Sequence, residues 1–293
     1  MKVLKNSFIQ IQVNPVGAEL SSIKGQKSNT ELMWSGDSNI WNGISPILFP
    51  IVGGLKNDSF THDGKSYQLP RHGFARRNDQ FTLVEESNSK LTFSLTSNED
   101  TRKKYPFEFD FFITYELKDN EITITYKTVN KGNSNMFFSI GAHPAFKCPV
   151  FEGETYQDYV LEFNHEESSK RQLLNHDGLY NLETEHVFTT PNLIELTKDL
   201  FDKDALVFTD LKSDVITLKS KINGDILSVK FSGWPYMGIW AKPNAPFVCI
   251  EPWLGLADHI NTNQELSEKI GIITLKEKDS HTASYSIIIN NKF

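Results

Sequence analysis

The stretch from Phe109 to Lys127 constrains the fold most. Phe109, Phe111, Ile113, Tyr115 and Leu117 share one parity, and Asp110, Thr114 and Glu116 share the other. After Lys118-Asp119-Asn120, Ile122, Ile124 and Tyr126 alternate with Thr123, Thr125 and Lys127. A period of two turns one face of each segment to a core and the other to water, so the pair predicts a long antiparallel hairpin. The pattern recurs on a smaller scale. Residues 7–25 alternate around a Pro15-Val16-Gly17 turn, which predicts an opening hairpin. Gln80–Val84 and Lys90–Leu95 read as paired strands. Asn223-Gly224 is a two-residue hairpin signal joining Val215–Ser220 to Ile226–Phe231. Further short strands are expected at Leu32–Trp34, Ser66–Leu69, Tyr159–Phe163, Ala205–Phe208, Met237–Trp240, Phe247–Ile250, Gly271–Leu275 and Thr282–Ile289.

Helical signals are sparse. Asn263–Lys269, capped by Thr262, reads as one short helix, and one helical turn is expected near Leu193–Leu200. The remainder of 151–200 is polar and reads as loops. Residues 41–60 are irregular, yet Ile44–Val52 is apolar and interrupted by Pro46 and Pro50. A loop this apolar must pack on something, such as the mouth of a cleft. With many short strands, few helices, no βα alternation and no repeat of 20–50 residues, the chain is expected to be all-β and antiparallel. A sandwich or barrel formed as one domain over 1–293 fits this pattern.

Composition narrows the partners. The 21 Phe among 293 residues suit a sheet core. A net charge of −7 without a basic block argues against nucleic acid. No apolar run approaches the length of a membrane span, and Met1–Ser7 lacks the apolar core of a signal peptide. Cys148 and Cys249 are too few for a disulfide framework and are expected to be buried free thiols. These features predict a cytoplasmic protein; monomer and homodimer are both compatible with them.

Three places concentrate chemistry. The apolar run from Met136 ends in Gly141-Ala142-His143-Pro144. Proline cannot continue a central ladder and holds the preceding residue extended, so an imidazole is expected where a core strand stops. Pro246–Ile250 is likewise followed by Glu251-Pro252-Trp253. A histidine and a carboxylate at strand ends form a candidate acid/base pair. Taken singly, each has a blander reading, as a satisfied core histidine and a solvated turn glutamate. The third place is Arg71-His72-Gly73-Phe74-Ala75-Arg76-Arg77. There Gly73 allows close backbone approach, and Phe74 can anchor a segment that aims His72 and Arg76 into a cleft. The histidines at 62, 165, 176, 186, 259 and 281 lie in polar surroundings and read as surface residues. Trp234, Tyr236, Trp240 and Trp253 offer faces for a sugar, although core filling is the better reading for most of them.

Arg-His-Gly-Phe-Ala-Arg, Gly-Ala-His-Pro-Ala-Phe and Cys-Ile-Glu-Pro-Trp, in this order, resemble the aldose 1-epimerase (galactose mutarotase-like) family, in particular its LacX-like branch. The resemblance runs from Ala18–Ile23 to the last strands. It implies a large twisted antiparallel β-sandwich of the galactose mutarotase type, with a cleft across one sheet. It also implies interconversion of the α and β anomers of an aldose, with no cofactor and no metal. By motif, Glu251 resembles the general base at the C1 hydroxyl and His143 the general acid at the ring oxygen. His72 and Arg76 resemble sugar-binding residues, and Asp204 matches the family's substrate-binding aspartate, with Asp202 and Asp210 close by. One departure stands out. Many relatives carry an arginine just after Phe-Pro-x-Val-Gly, where this chain has Gly53-Gly54-Leu55-Lys56. Lys56 or Arg71 could fill that place.

Other functions fit parts of the pattern. A non-catalytic sugar binder could use the same fold. His72, His143 and Glu251 are the residue types of an iron facial triad, but the close His-x-Asp/Glu spacing is absent. A glycosidase could pair Glu251 with Asp204 and would leave the histidines without a task. Arg71, Arg76, Arg77 and Lys56 could also form a basic pocket for a hexose phosphate.

Overall fold

A computed structural model describes residues 1–293. Its centre is the expected hairpin, Phe109–Lys118 against Glu121–Asn130, in unbroken register from Phe109↔Asn130 to Lys118↔Glu121. The apolar parity is buried along both strands. Around it grows a nine-stranded antiparallel sheet. On one side lie Lys90–Thr96 and Thr82–Glu86; on the other lie Ser280–Ile289, Gly224–Lys230, Val215–Ser220, Tyr159–Phe163 and Leu193–Glu195. A second sheet of seven strands is built on Phe247–Leu254 and Tyr236–Trp240. It continues through Leu206–Phe208, Arg171–Leu174 and Tyr180–Glu185, with Ile140–Gly141 and Ala145–Lys147 on the far side of 247–254. The opening hairpin, Ile9–Asn14 with Glu19–Gly25, gains a third strand from Lys2–Lys5.

One apolar cluster of 68 buried residues lies among these sheets. Its aromatic part is dense: Phe49 stacks on Phe111 at 4.2 Å between ring centroids and meets Phe109 edge-on at 5.2 Å. Phe49 belongs to the apolar 44–52 loop, in which Ile47, Leu48, Phe49, Ile51 and Val52 are all buried. The fold is thus an antiparallel β-sandwich whose irregular, proline-broken segment is pressed into its core.

Several local expectations need correction. Asn263–Lys269 is no helix. Gln264 has φ +65°, its amide donates to Thr262 Oγ1 in a turn, and only Leu266–Glu268 forms a 3-10 turn. The α-helix is Glu99–Lys104. There Asn98 accepts the amides of Asp100 and Thr101 while Thr101 Oγ1 accepts the Asn98 amide, and acidic residues lead where basic ones close. Leu193–Glu195 is an edge strand rather than a helical turn, and the polar 151–200 region also holds Arg171–Leu174 and Tyr180–Glu185. The 215–230 hairpin turns over three residues, Lys221–Asn223, with a register shift at Leu218/Lys219. Leu32–Trp34 makes only an isolated bridge, Met33 to Phe146. His62 and His281 are not surface residues, since they pack against Phe107 and Phe138 respectively.

Candidate active site

Glu251 does not end its strand. Phe247–Leu254 runs straight through Glu251-Pro252, with Gly238↔Glu251 and Met237↔Pro252 as register partners. A proline is tolerated in this central strand because its missing N–H faces a break in the neighbour. Ile140–Gly141 pairs with Leu254–Trp253, and Ala145–Lys147 pairs with Cys249–Phe247. Between them Ala142-His143-Pro144 leaves the ladder, held only by Ala142 N–H to Pro252 O (3.0 Å) and Ile250 N–H to Pro144 O (3.3 Å). Both bonds point to the side on which Pro252 has nothing to donate. The His-Pro and Glu-Pro pairs therefore belong to one local arrangement, in which one proline ejects a histidine from the sheet and the other accommodates the gap.

That arrangement brings His143 Nε2 to 3.4 Å from Glu251 Oε2, with both residues buried. His143 is packed between rings: Trp41 stacks on it at 5.1 Å, and Trp240 and His72 meet it edge-on, each at 5.8 Å. Trp253 lies across the strand because Gly141 and Gly238 leave it room. A Cβ would come within 2.7 Å of the indole at Gly141 and 2.4 Å at Gly238. His143 Nδ1, Glu251 Oε2 and Trp253 Nε1 are buried and have no hydrogen-bond partner. Buried polar atoms are nearly always satisfied, and three unsatisfied ones around one space mark a site built to meet a polar ligand.

The space is a cavity of about 320 Å³, lined by His72, His143 and Glu251 with Trp41, Trp240 and Trp253, and walled further by Arg71, Arg76, Gly178 and Tyr180. This is within the range of small-molecule sites. His72 is held by a reciprocal pair of bonds: its N–H donates to Gly53 O (2.9 Å), and Gly53 N–H donates to its Nδ1 (3.1 Å). With Nδ1 accepting, the neutral ring carries its proton on Nε2. Gly73 permits this turn. It has φ +71°, and a Cβ there would sit 2.2 Å from Phe49 O, the atom that accepts the amides of Phe74 and Ala75.

The opposite wall rests on a buried ion pair. Lys269 Nζ donates to Asp258 Oδ1 at 2.6 Å, and both side chains are only 3% exposed. Asp258 Oδ2 accepts the Lys56 amide, its own N–H donates to Gly54 O, and its carbonyl accepts the Tyr180 amide. One aspartate thus ties the 53–56, 180 and 258–269 segments together. Sequence reading did not find it, nor Trp41 and Tyr180. Trp41 was visible only as the first residue of the irregular 41–60 stretch, and Tyr180 lies in a stretch whose polar composition hides a strand.

Of the residues singled out from sequence, His72, His143, Glu251, Arg71 and Arg76 line one cavity. Lys56 does not, because its ammonium turns away to Ile260 O (2.8 Å). Arg71 fills the space beside Gly54 instead, 3.6 Å from where a Cβ would stand. Asp204 sits at the margin, next to the lining Ala205, whose amide donates to Asp204 Oδ1 (2.7 Å). Trp234 is a core residue bonded to Ser284 O. Cys148 and Cys249 are both buried free thiols, and Cys249 offers its sulfur within 4.8 Å of donor atoms of His143 and Glu251. Those three, rather than His72, His143 and Glu251, are the potential metal-ligand cluster; burial raises the Cys249 thiol pKa and so disfavours the thiolate a metal would need.

Burial dominates the electrostatics. It pushes Glu251 well above the usual 4.5, with the Trp253 indole acting the other way and the Asp204 charge adding to the rise. It pushes His143 down to about 3, assisted by the positive charge of Arg76. His72 is likewise held well below 6.5, by burial first and then by His143, Arg76 and Arg71. Both partners of the 3.4 Å pair are therefore driven towards neutrality, with the proton on Glu251. An ionised Glu251 beside a protonated His143, the arrangement that the acid/base roles need in the reacting state, is thus not what burial by itself favours.

Comparison with known proteins decides the family. The aldose 1-epimerase family profile matches residues 2–287. The chain belongs to the aldose 1-epimerase family. Within it, the plasmid and chromosomal LacX proteins of Lactococcus lactis subsp. lactis are each 35% identical over 297 residues, covering 98% of this chain and 99% of theirs. A galactose mutarotase related enzyme from Lactobacillus acidophilus superposes with a TM-score of 0.93 at 34% identity, over 99% of this chain and 97% of that one. A galactose mutarotase-like protein from Lactobacillus casei gives 0.93 at 30% identity, over 99% and 100%. The fold is that of the galactose mutarotases, and membership supports a carbohydrate epimerase acting on a small sugar. No helix is long and apolar enough to cross a membrane.

Proposed function

We propose that the protein interconverts the α and β anomers of an aldohexose by general acid/base ring opening. The observation that carries this reading is the buried His143–Glu251 pair, 3.4 Å apart in a sugar-sized cavity and left with unsatisfied polar atoms. The pair shares one proton. Moving it from Glu251 to His143 creates a carboxylate and an imidazolium without exchange with solvent. Hydroxyl donors of an arriving sugar favour the carboxylate by hydrogen bonding to it. Glu251 then takes the proton of the C1 hydroxyl, His143 protonates the ring oxygen, and the C1–ring-oxygen bond breaks to give the open aldehyde. After rotation about C1–C2 the steps reverse on the other face: His143 removes the proton from the hydroxyl that closes the ring, and Glu251 returns one to the new C1 hydroxyl. Neither group is consumed, and two groups of this kind suffice near neutral pH. His72, with its proton on Nε2, is a hydrogen-bond donor to the sugar, and Arg76 in the cavity wall and Asp204 at its margin are further candidates to contact the substrate. The cytoplasm is the proposed location.

Polarimetry of freshly dissolved α-galactose and α-glucose tests this reading. Wild-type protein should speed the approach to the anomeric equilibrium, and His143→Ala should lose about 10²- to 10⁴-fold of that rate. An unaltered rate in the variant would remove His143 from the reaction. A protein that binds sugars without accelerating mutarotation would be the binder on the same fold.

A further inference from the structure

The chain is acidic overall, at −7, yet two guanidiniums form part of the cavity wall. Neither Arg71 nor Arg76 has a carboxylate partner, in contrast to Arg171, whose Nη2 pairs with Glu185 Oε2 at 2.5 Å. Arg71 spends a single donor, Nη2 to the backbone oxygen of Asp177 at 3.1 Å. The carboxylate of Asp177 faces His176 instead, at 3.3 Å. Arg76 is partly buried and makes no side-chain hydrogen bond. Of the acids nearest the cavity, Glu251 carries the proton beside His143 and Asp204 stands at the margin bonded to the Ala205 amide; neither forms an ion pair with Arg71 or Arg76.

The position of Arg71 is built rather than incidental. Its guanidinium lies against Gly178, which has φ +74°; a Cβ there would stand 1.4 Å from Nη2. Gly54 leaves room on the other side. Lys56, the other cation that could reach this place, is committed to Ile260 O. Partly desolvated guanidiniums without counter-ions, opening on a cavity that already holds polar groups for a sugar, form a receptor for an anion. They lie beside His72, and His72 stands next to the His143–Glu251 pair, so the anion would be carried by the same molecule that presents its ring to that pair.

We infer that the aldose taken by this cavity bears an anionic substituent remote from C1, a phosphate ester being the fullest match, gripped by Arg71 and Arg76. This rests on the sugar-site reading above and names its substrate class. A doubly charged phosphate answers both guanidiniums, whereas a uronate carboxylate satisfies one fork.

Equilibrium calorimetry with galactose, galactose 6-phosphate, galacturonate and inorganic phosphate, on wild type and Arg71→Gln, tests it independently of turnover. Galactose 6-phosphate should bind about ten- to a hundredfold tighter than galactose, the range expected of a charge-assisted fork. That advantage should shrink at least about tenfold in Arg71→Gln and fall with added salt. Galacturonate gaining as much as the phosphate would keep the anionic class and shift its identity to a sugar acid. Equal affinity for galactose and its phosphate would overturn the inference, as would an advantage indifferent to Arg71→Gln or inorganic phosphate binding as tightly as the sugar phosphate. Mutarotation rates separate the two levels. Acceleration of neutral sugars without any preference for the anion sinks this inference and leaves the epimerase standing. Selective binding of the anionic sugar without any acceleration sinks the epimerase and leaves the receptor.

Discussion

Replacing Glu251 by glutamine reads out where the proton of the His143–Glu251 pair resides. The folded pKa of Glu251 is raised above 4.5. The folded protein thus binds a proton that the unfolded chain releases, and this contribution makes stability fall as pH rises from 4.5 towards the folded value. The folded pKa of His143 is lowered from 6.5 to about 3. Here the unfolded chain binds the extra proton, so stability is complete above 6.5 and is lost as pH falls towards 3. Below 6.5, and as far above 4.5 as folded Glu251 keeps its proton, the folded pair holds one proton, on Glu251, and the unfolded pair holds one, on His143; there the two slopes cancel. Glu251→Gln removes one side of that balance. The variant should gain a slope of about 1.4 kcal/mol per pH unit relative to wild type. Integrated over that range, the stability difference between the two proteins should change by up to about 2 kcal/mol, with the variant relatively favoured at its upper end and disfavoured at pH 4.5. Urea unfolding at half-unit pH intervals measures this directly, and all other titrating groups, His72 included, drop out of the difference. A difference constant across the window would mean that Glu251 is already ionised in the folded protein, and the argument from burial would be refuted.

Two further outcomes follow from the packing. Lys269→Met should destabilise by about 3–5 kcal/mol, because it leaves Asp258 buried without its counter-charge; if adding Asp258→Asn restores none of the loss in urea denaturation, the ion pair is not its source. Asn98→Ala should cost about 1 kcal/mol through the cap of the 99–104 helix, and an unchanged thermal midpoint would show that the helix does not contribute to global stability.

Legibility in the sequence followed the physics of each segment. The 109–127 hairpin was readable because alternation alone specifies which face of each strand is buried. Arg171–Leu174 and Tyr180–Glu185 were not, since their residues are largely half-exposed and carry no apolar parity to detect. His143 and Glu251 were identifiable by their prolines, although for an incomplete reason: Pro252 does not stop its strand but sits where the neighbouring strand has already departed. Lys56 was misplaced because the chain leaves the cavity after Gly53 and its ammonium has the Ile260 carbonyl to satisfy elsewhere. Asp258 was invisible, because a buried carboxylate joining segments some two hundred positions apart leaves no local signature.

That aspartate has a consequence for how a sugar exchanges. The loop that holds the ring of His72, the strand bearing Tyr180 and the segment after Trp253 are joined through one residue, by its side chain and its backbone, before any ligand arrives. The ordering of this wall is completed when the chain folds, so an incoming sugar gives up only its own freedom. Both anomers would then enter and leave past a wall that is already in place.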